Sequence, residues 1–377
     1  MKKLSVLAVS AMLSATAQAE FIANDSPLVV ANTYLDMASA NGRVVAVGDR
    51  GKILYSDDEG RHWQVAASPT EVLLTSVCFA DARHGWAVGH DALVLGTDDG
   101  GETWEVQYSD PLGAEPEEEI EEEIPEEDLS MDDIYGDPYA DDIYSDDPYG
   151  DDPYGDDLYS DDPYAEEGGG MSGPVDTSGA PLLDVHCESR NRAVAVGGYG
   201  YYLETTDGGE TWTKKMDRLK GNEGWHLYDL SPVADSGARY LVGEKGALFR
   251  SMDEGVSWEP MKSPYSGTLF GATSLSDYKT LIYGLQGNIW LTANRGVSWS
   301  KVSSGLSRGI NDGALLADGT VVLVTNAGGI LTSQDEGKSF SLRFLPDRES
   351  ISAVLPREEG GILIAGRGGV RVIEDVK

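Results

Sequence analysis

The chain has 377 residues, a formal net charge of −37, two cysteines and five histidines. So acidic a chain excludes nucleic acid as an expected partner, because a phosphate backbone attracts a basic face. Two cysteines and five scattered histidines make no zinc-type ligand spacing, and the sequence predicts no metal centre.

The N-terminus opens Met1-Lys2-Lys3, continues apolar from Leu4 to about Ala15, and reaches the small-x-small triplet Ala17-Gln18-Ala19. These parts predict a Sec-type signal peptide over 1–19, cleaved after Ala19, and a periplasmic mature chain. The apolar run is too short to span a bilayer, and no transmembrane segment is expected in the mature chain.

An eight-residue phrase then recurs six times. It runs from Ser56 to Trp63, Thr97 to Trp104, Thr205 to Trp212, Ser251 to Trp258, Thr292 to Trp299 and Ser333 to Phe340. Its third position holds Asp58, Asp99, Asp207, Asp253, Asn294 and Asp335, its fifth a glycine, and its last an aromatic. The phrase fits a hairpin corner: the aspartate binds turn N–H groups, the glycine takes the positive φ, and the aromatic packs inward. These six residues are therefore expected to be structural. Their aromatics fall 41 residues apart in most intervals, 46 in one and 108 in another. A period near forty predicts a propeller or solenoid array.

Between boxes comes a second repeat, an apolar strand ending in a glycine-flanked turn. Seven such turns occur, at 48–51, 89–92, 197–200, 243–246, 284–287, 326–329 and 366–369. The seventh unit, from about Ile351 to Ile373, has three strands and no box. The apolar run Pro27-Leu28-Val29-Val30 has no other home, so it is expected to supply the missing outer strand and close the ring. The predicted fold is all-β: a seven-bladed β-propeller with Asp-box repeats, closed by an N-terminal strand, plus an acidic insertion expected to be disordered. The expected organisation is a signal peptide (1–19), blades 1–2 with the closing strand (20–109), the insertion (110–176) and blades 3–7 (177–377).

Residues 110–176 hold 27 Asp or Glu and no Lys or Arg. Much of the segment repeats Asp-Asp-Pro-Tyr-Gly, a period that matches neither helix nor strand and cannot bury a core. Three roles stay open: a solvated tail, a tether for a basic partner surface, and calcium binding through its carboxylate pairs. Apart from calcium there, no cofactor is expected. The insertion follows the fourth strand of blade 2, so it should leave from the face carrying the glycine turns. The boxes should lie on the opposite face.

Aligning the first strands of blades 2 and 3 sets Cys78 level with His186 and Cys187 level with Phe79. The two thiols then point to opposite faces of their strands. No disulfide is expected, since a bridge needs converging Cβ vectors, although export would permit one.

The eight-residue phrase resembles the Asp-box of BNR-repeat and sialidase-type propellers. A sialidase requires an arginine cluster and a Phe/Tyr-Arg-Ile/Val-Pro motif before its first box. Here that stretch reads Phe21-Ile22-Ala23-Asn24-Asp25-Ser26-Pro27, and no arginine precedes Arg43. No catalytic residue is expected. A carbohydrate-active propeller, sialidase-like or lectin-like, stands as the alternative function. Unit openings such as Ser76 to Gly89 and Asp184 to Gly197, each leading into a box, resemble the photosystem II stability/assembly factor family. The resemblance implies a non-enzymatic scaffold or assembly factor acting on an envelope membrane protein complex. Non-photosynthetic members occur beside RND-type transporters, so such a transporter is an expected partner. Partner-binding candidates are the turn-tip residues Arg50, His90, Tyr199, Lys245 and Arg367, with Trp225 and His226 toward the central channel.

Overall fold

The computed structural model describes residues 32–111, 178–231 and 238–376. The signal peptide, the closing strand Pro27–Val30 and the acidic insertion beyond Pro111 lie outside the described residues. Within them, 27 strands form seven antiparallel sheets in simple meander order, six of four strands and one of three. Blade 1 is Tyr34–Ala40, Arg43–Gly48, Ile53–Ser56 and Gln64–Val65. Blade 7 is Ile351–Pro356, Ile362–Gly366 and Gly369–Ile373. Each glycine turn joins the second and third strands, and each Asp-box joins the third and fourth. The seven-bladed all-β reading stands.

The second strands are buried on both faces, which is why they read as unbroken apolar runs such as Val44–Val47 and Ala193–Val196. Each is sandwiched between two neighbouring blades. The apolar core is accordingly divided into seven clusters, one for each junction between consecutive blades. The cluster closing the ring packs Leu363, Ala365 and Val370 of blade 7 on Tyr34, Met37, Leu54 and Trp63 of blade 1. Burying one such side chain contributes about 2 kcal/mol, against about 1 kcal/mol for a local hydrogen bond. Packing therefore holds the blades together, and the boxes shape the corners.

The boxes do what their residues predict. Asp99 accepts from the N–H groups of Glu102 (2.9 Å) and Thr103 (3.0 Å) and from the hydroxyls of Thr103 (2.6 Å) and Thr97 (2.9 Å). Thr97 Oγ1 also accepts from Gly101 N, and the Trp104 indole donates to the Gly101 carbonyl. Asp58, Asp207, Asp253 and Asp335 serve their own turns in the same way. Asn294 does so with its amide oxygen accepting from Ser298 N and its amide nitrogen donating to Ser298 Oγ.

One expectation is overturned. Cys78 and Cys187 form a disulfide, with their Cα atoms 5.6 Å apart. Their side chains leave opposite faces of equivalent strands, and that is what lets them meet. Blades stack face to back, so the side chains that meet across a junction leave opposite faces of equivalent strands. Cys78 and Cys187 both border the cluster between blades 2 and 3. Parity that forbids a bridge within one sheet favours one between stacked sheets.

Candidate functional site

The site is built on a defect repeated in every first strand. In blade 1, Tyr34 pairs with Gly48 and Asp36 with Val47, leaving Leu35 bulged. The same slip recurs at the same place in the other six blades. The glycine matters here because of close approach: a Cβ on Gly48 would lie 2.2 Å from the Thr33 carbonyl oxygen, and one on Gly197 2.1 Å from that of Pro181. A bulge re-aims the next side chain. That next position reads Asp36, Ser76, Asp184, Asp229, Gly271, Asp312 and Ala353 around the ring.

These residues line the central channel, a cavity of about 160 Å³. Each acid reaches forward to the first strand of the following blade. Asp36 accepts from Val77 N (2.9 Å), Asp184 from Leu230 N (2.7 Å), Asp229 from Ala272 N (2.7 Å) and Asp312 from Val354 N (2.8 Å). Ser76 Oγ accepts from Val185 N at 3.3 Å. Gly271 and Ala353 have nothing to offer. After each, the next blade's acid accepts from its own neighbour instead: Asp312 from Gly313 N (2.6 Å) and Asp36 from Met37 N (2.7 Å).

Enclosure by protein is the main cause that drives these carboxyls upward. Asp36 rises to about 6 and Asp312 to about 7, and Asp184 and Asp229 also rise. Neighbouring acids of the ring push Asp36, Asp229 and Asp312 further. Geometry agrees for one pair. Ser76 Oγ stands 2.8 Å from both Asp36 Oδ2 and Asp184 Oδ1, yet a hydroxyl has one proton to give. A proton retained on one of the two carboxyls completes that bridge.

The glycine-turn face surrounds the channel mouth. Arg50, His90, Tyr199, Lys245 and Arg367 all stand exposed in the turns of blades 1, 2, 3, 4 and 7. They are dispersed around the rim. The structure gathers two of the candidates: the Tyr199 and His226 rings meet at 5.0 Å, edge to face. The series continues from His226 to Tyr228 (6.4 Å) and from Tyr228 to Phe270 (5.4 Å). Leu285, on the next turn, is 40% exposed. Trp225 sits differently, half-buried against the cluster between blades 3 and 4.

The stretch flanking the insertion is tied to the same face. Asp110 N donates to the carbonyl of Asp91 (2.9 Å), Gly179 N to that of Asp110 (2.6 Å), and Ala92 N to that of Ala180 (2.9 Å). Both described ends of the insertion therefore meet the glycine turn of blade 2. A polar groove of about 680 Å³ lies between blades 2 and 3 on the Asp-box face. Arg190 is its one arginine, so it does not gather the cluster a sialidase requires.

Phe270 and Leu285 were not singled out in the sequence, nor were the channel acids. A signal for the acids was present: an apolar residue, any residue, then Asp recurs at Tyr34-Leu35-Asp36, Leu182-Leu183-Asp184, Leu227-Tyr228-Asp229 and Ile310-Asn311-Asp312. Phe270 had none, since a bulged aromatic reads as an ordinary strand residue.

Comparison with known proteins bears out the family resemblance. Residues 61–135 match the family described as photosynthesis system II assembly factor YCF48. Among curated proteins, the photosystem II stability/assembly factor HCF136 of Oryza sativa subsp. japonica is 37% identical over 76 residues, 20% of this chain and 18% of that protein. The photosystem II assembly protein Ycf48 of Thermosynechococcus vestitus is 42% identical over 43 residues, 11% of this chain and 12% of that one. The chain thus matches less than a fifth of the length of these relatives. Among solved structures, YCF48 bound to D1 peptide superposes with a TM-score of 0.59 at 19% identity, covering 92% of this chain and 94% of that one. The WD40 propeller domain of Doa1 gives 0.59 at 12% identity, covering 90% and 92%. These structural likenesses carry the fold.

Proposed function

We propose that this chain, similar in its repeats to the photosystem II stability/assembly factors, is a non-enzymatic scaffold. In this reading it is exported to the periplasm after cleavage behind Ala19. There it escorts or assembles an envelope membrane protein complex, with an RND-type transporter as the client to test first. One observation carries the reading. The glycine-turn face presents cationic and aromatic tips around a closed channel, while five box aspartates and Asn294 are spent on their own turns. A rigid ring with variable tips suits recognition, since loops on a rigid scaffold carry function. The solved YCF48 bound to D1 peptide supports it, as a relative in fold that holds a polypeptide.

The test is photo-crosslinking in intact envelopes. A crosslinking side chain is placed at Lys245 on the turn face and, as a control, at Lys338 on the Asp-box face. The expected outcome is an integral membrane protein captured from position 245 and not from 338, identified by mass. Equal capture from both faces, or capture of soluble proteins alone, would refute the scaffold reading. A signal peptide still attached to the chain recovered from the envelope would refute the cleavage.

A further inference from the structure

Five turns of the docking face hold non-glycine residues in the left-handed region: Arg50 (φ 55), Asp91 and Ala92 (φ 58 and 48), Tyr199 (φ 55), Lys245 (φ 53) and Gln286 (φ 57). L side chains resist that region, and glycine enters it freely. The Asp-box face repeats the conformation at Glu59, Glu254, Arg295 and Glu336. Three of those side chains hold a neighbouring element: Glu59 pairs with Arg357, Glu336 with Lys279, and Arg295 lies over the Tyr278 ring. The docking face differs. Arg50, Lys245 and Gln286 have no side-chain hydrogen bond or ion pair among the described residues, and the Tyr199 ring meets His226 edge to face while staying 48% exposed. Strain that nothing inside the ring offsets points to contacts outside it.

Resting on the scaffold reading, we infer that Tyr199, Lys245 and Gln286 are the contact tips for an extended polypeptide segment of the partner, one with an apolar side chain next to an acidic one. The three tips stand on consecutive blades 3, 4 and 5. Beside them run the rings of His226, Tyr228 and Phe270 and the exposed Leu285, a seat for an apolar side chain. The Lys245 ammonium suits a carboxylate. The Gln286 amide has a donor and an acceptor for one peptide group.

The full chain is panned against a displayed library of short random peptides, and the best binder is titrated against variants. The expected consensus places Asp or Glu beside an aromatic or aliphatic residue. Lys245→Gly and Gln286→Gly should each weaken that peptide about tenfold. The same substitutions should leave the unfolding midpoint unchanged or raise it by about 2 °C, because the strain is relieved. Glu59→Gly, which loses its partner Arg357, should lower the midpoint. The inference is overturned by a library with no such consensus, by unchanged peptide affinity, or by a midpoint that falls in the two tip variants. A membrane complex still captured by both tip variants would keep the scaffold reading and sink this one. Tip variants behaving as expected in a chain that captures no membrane complex would do the reverse.

Discussion

Aspartate does two opposite jobs in this ring, and hydration decides which. In the boxes it sits near water and accepts several short bonds, which hold its carboxyl below the usual range, to about 2 for Asp207. That stability is present above about pH 4 and is lost as pH falls toward 2. In the channel, burial raises the carboxyls, to about 6 for Asp36 and about 7 for Asp312. Between about pH 4 and 7 these acids therefore hold more protons in the folded ring than in the unfolded chain. The stability these acids contribute is complete below about pH 4 and is lost as pH rises through their folded values. His186, pushed down to about 4 by burial and by Arg239, acts against that slope, so the informative quantity is a difference. Asp312→Asn keeps an acceptor for Val354 N and cannot titrate. Its stability in denaturant should fall less between about pH 5 and 7 than that of the wild type; parallel curves would show that Asp312 does not titrate there. Asp99→Ala should cost about 1 kcal/mol by urea unfolding, an exposed network being partly replaced by water.

At the level of strands and turns, the disulfide answers a problem the insertion creates. Elsewhere blade follows blade through a short loop, but between blades 2 and 3 the chain departs at Asp110 and returns near Ser178. Cys78–Cys187 bridges that junction across 109 residues of sequence. Replacing both cysteines by serine should cost about 2–4 kcal/mol, read as a lower unfolding midpoint. The cost should depend on the insertion. Deleting 115–167 shortens the closed loop to about 56 residues, and the bridge should then be worth about 0.6 kcal/mol less, since loop entropy grows with the logarithm of length. A double-mutant cycle between the deletion and the serine pair measures this. A deletion that unfolds the ring outright would mean the insertion is part of the fold.

For the whole ring, the junction between blades 7 and 1 is the place where the two ends of the chain must find each other. It is fastened by packing of Leu363 and Ala365 on Trp63 and Leu54, and by side chains that cross it. Arg357, only 4% exposed, donates to the Glu59 carbonyl (3.2 Å) and pairs with the Glu59 carboxylate (3.4 Å). Arg61 pairs with Glu359 nearby. Arg357→Ala leaves Glu59 half-enclosed without its partner and should destabilise the ring by about 2 kcal/mol. Hydrogen exchange should then rise first in Tyr34–Ala40 and Ile351–Pro356. Uniform loss of protection around the ring would show that this junction is no weaker than the rest.

The sequence by itself determined the number of blades and the face on which each turn lies. Both follow from local rules: Asp58, Gly60 and Trp63 make a corner wherever they occur, and a constant period makes every corner equivalent. It also placed the tips Arg50, Tyr199, Lys245 and Arg367 on one face, because a residue in a turn can go nowhere else. Only the tertiary structure decided what meets across a junction. Cys78 and Cys187 look misaligned in the sequence because opposite parity forbids a bridge within one sheet, whereas between stacked sheets it favours one. Asp36 and Asp312 read as ordinary strand residues until seven bulges turned that position toward one channel, where each acid is enclosed by protein and must answer to its neighbours. Tyr199 and Phe270 lie 71 residues apart in sequence and join one row of rings because blades 3 to 5 curve around that channel. Local hydrogen bonding is written in adjacent residues, whereas burial and ring curvature are properties of the closed assembly.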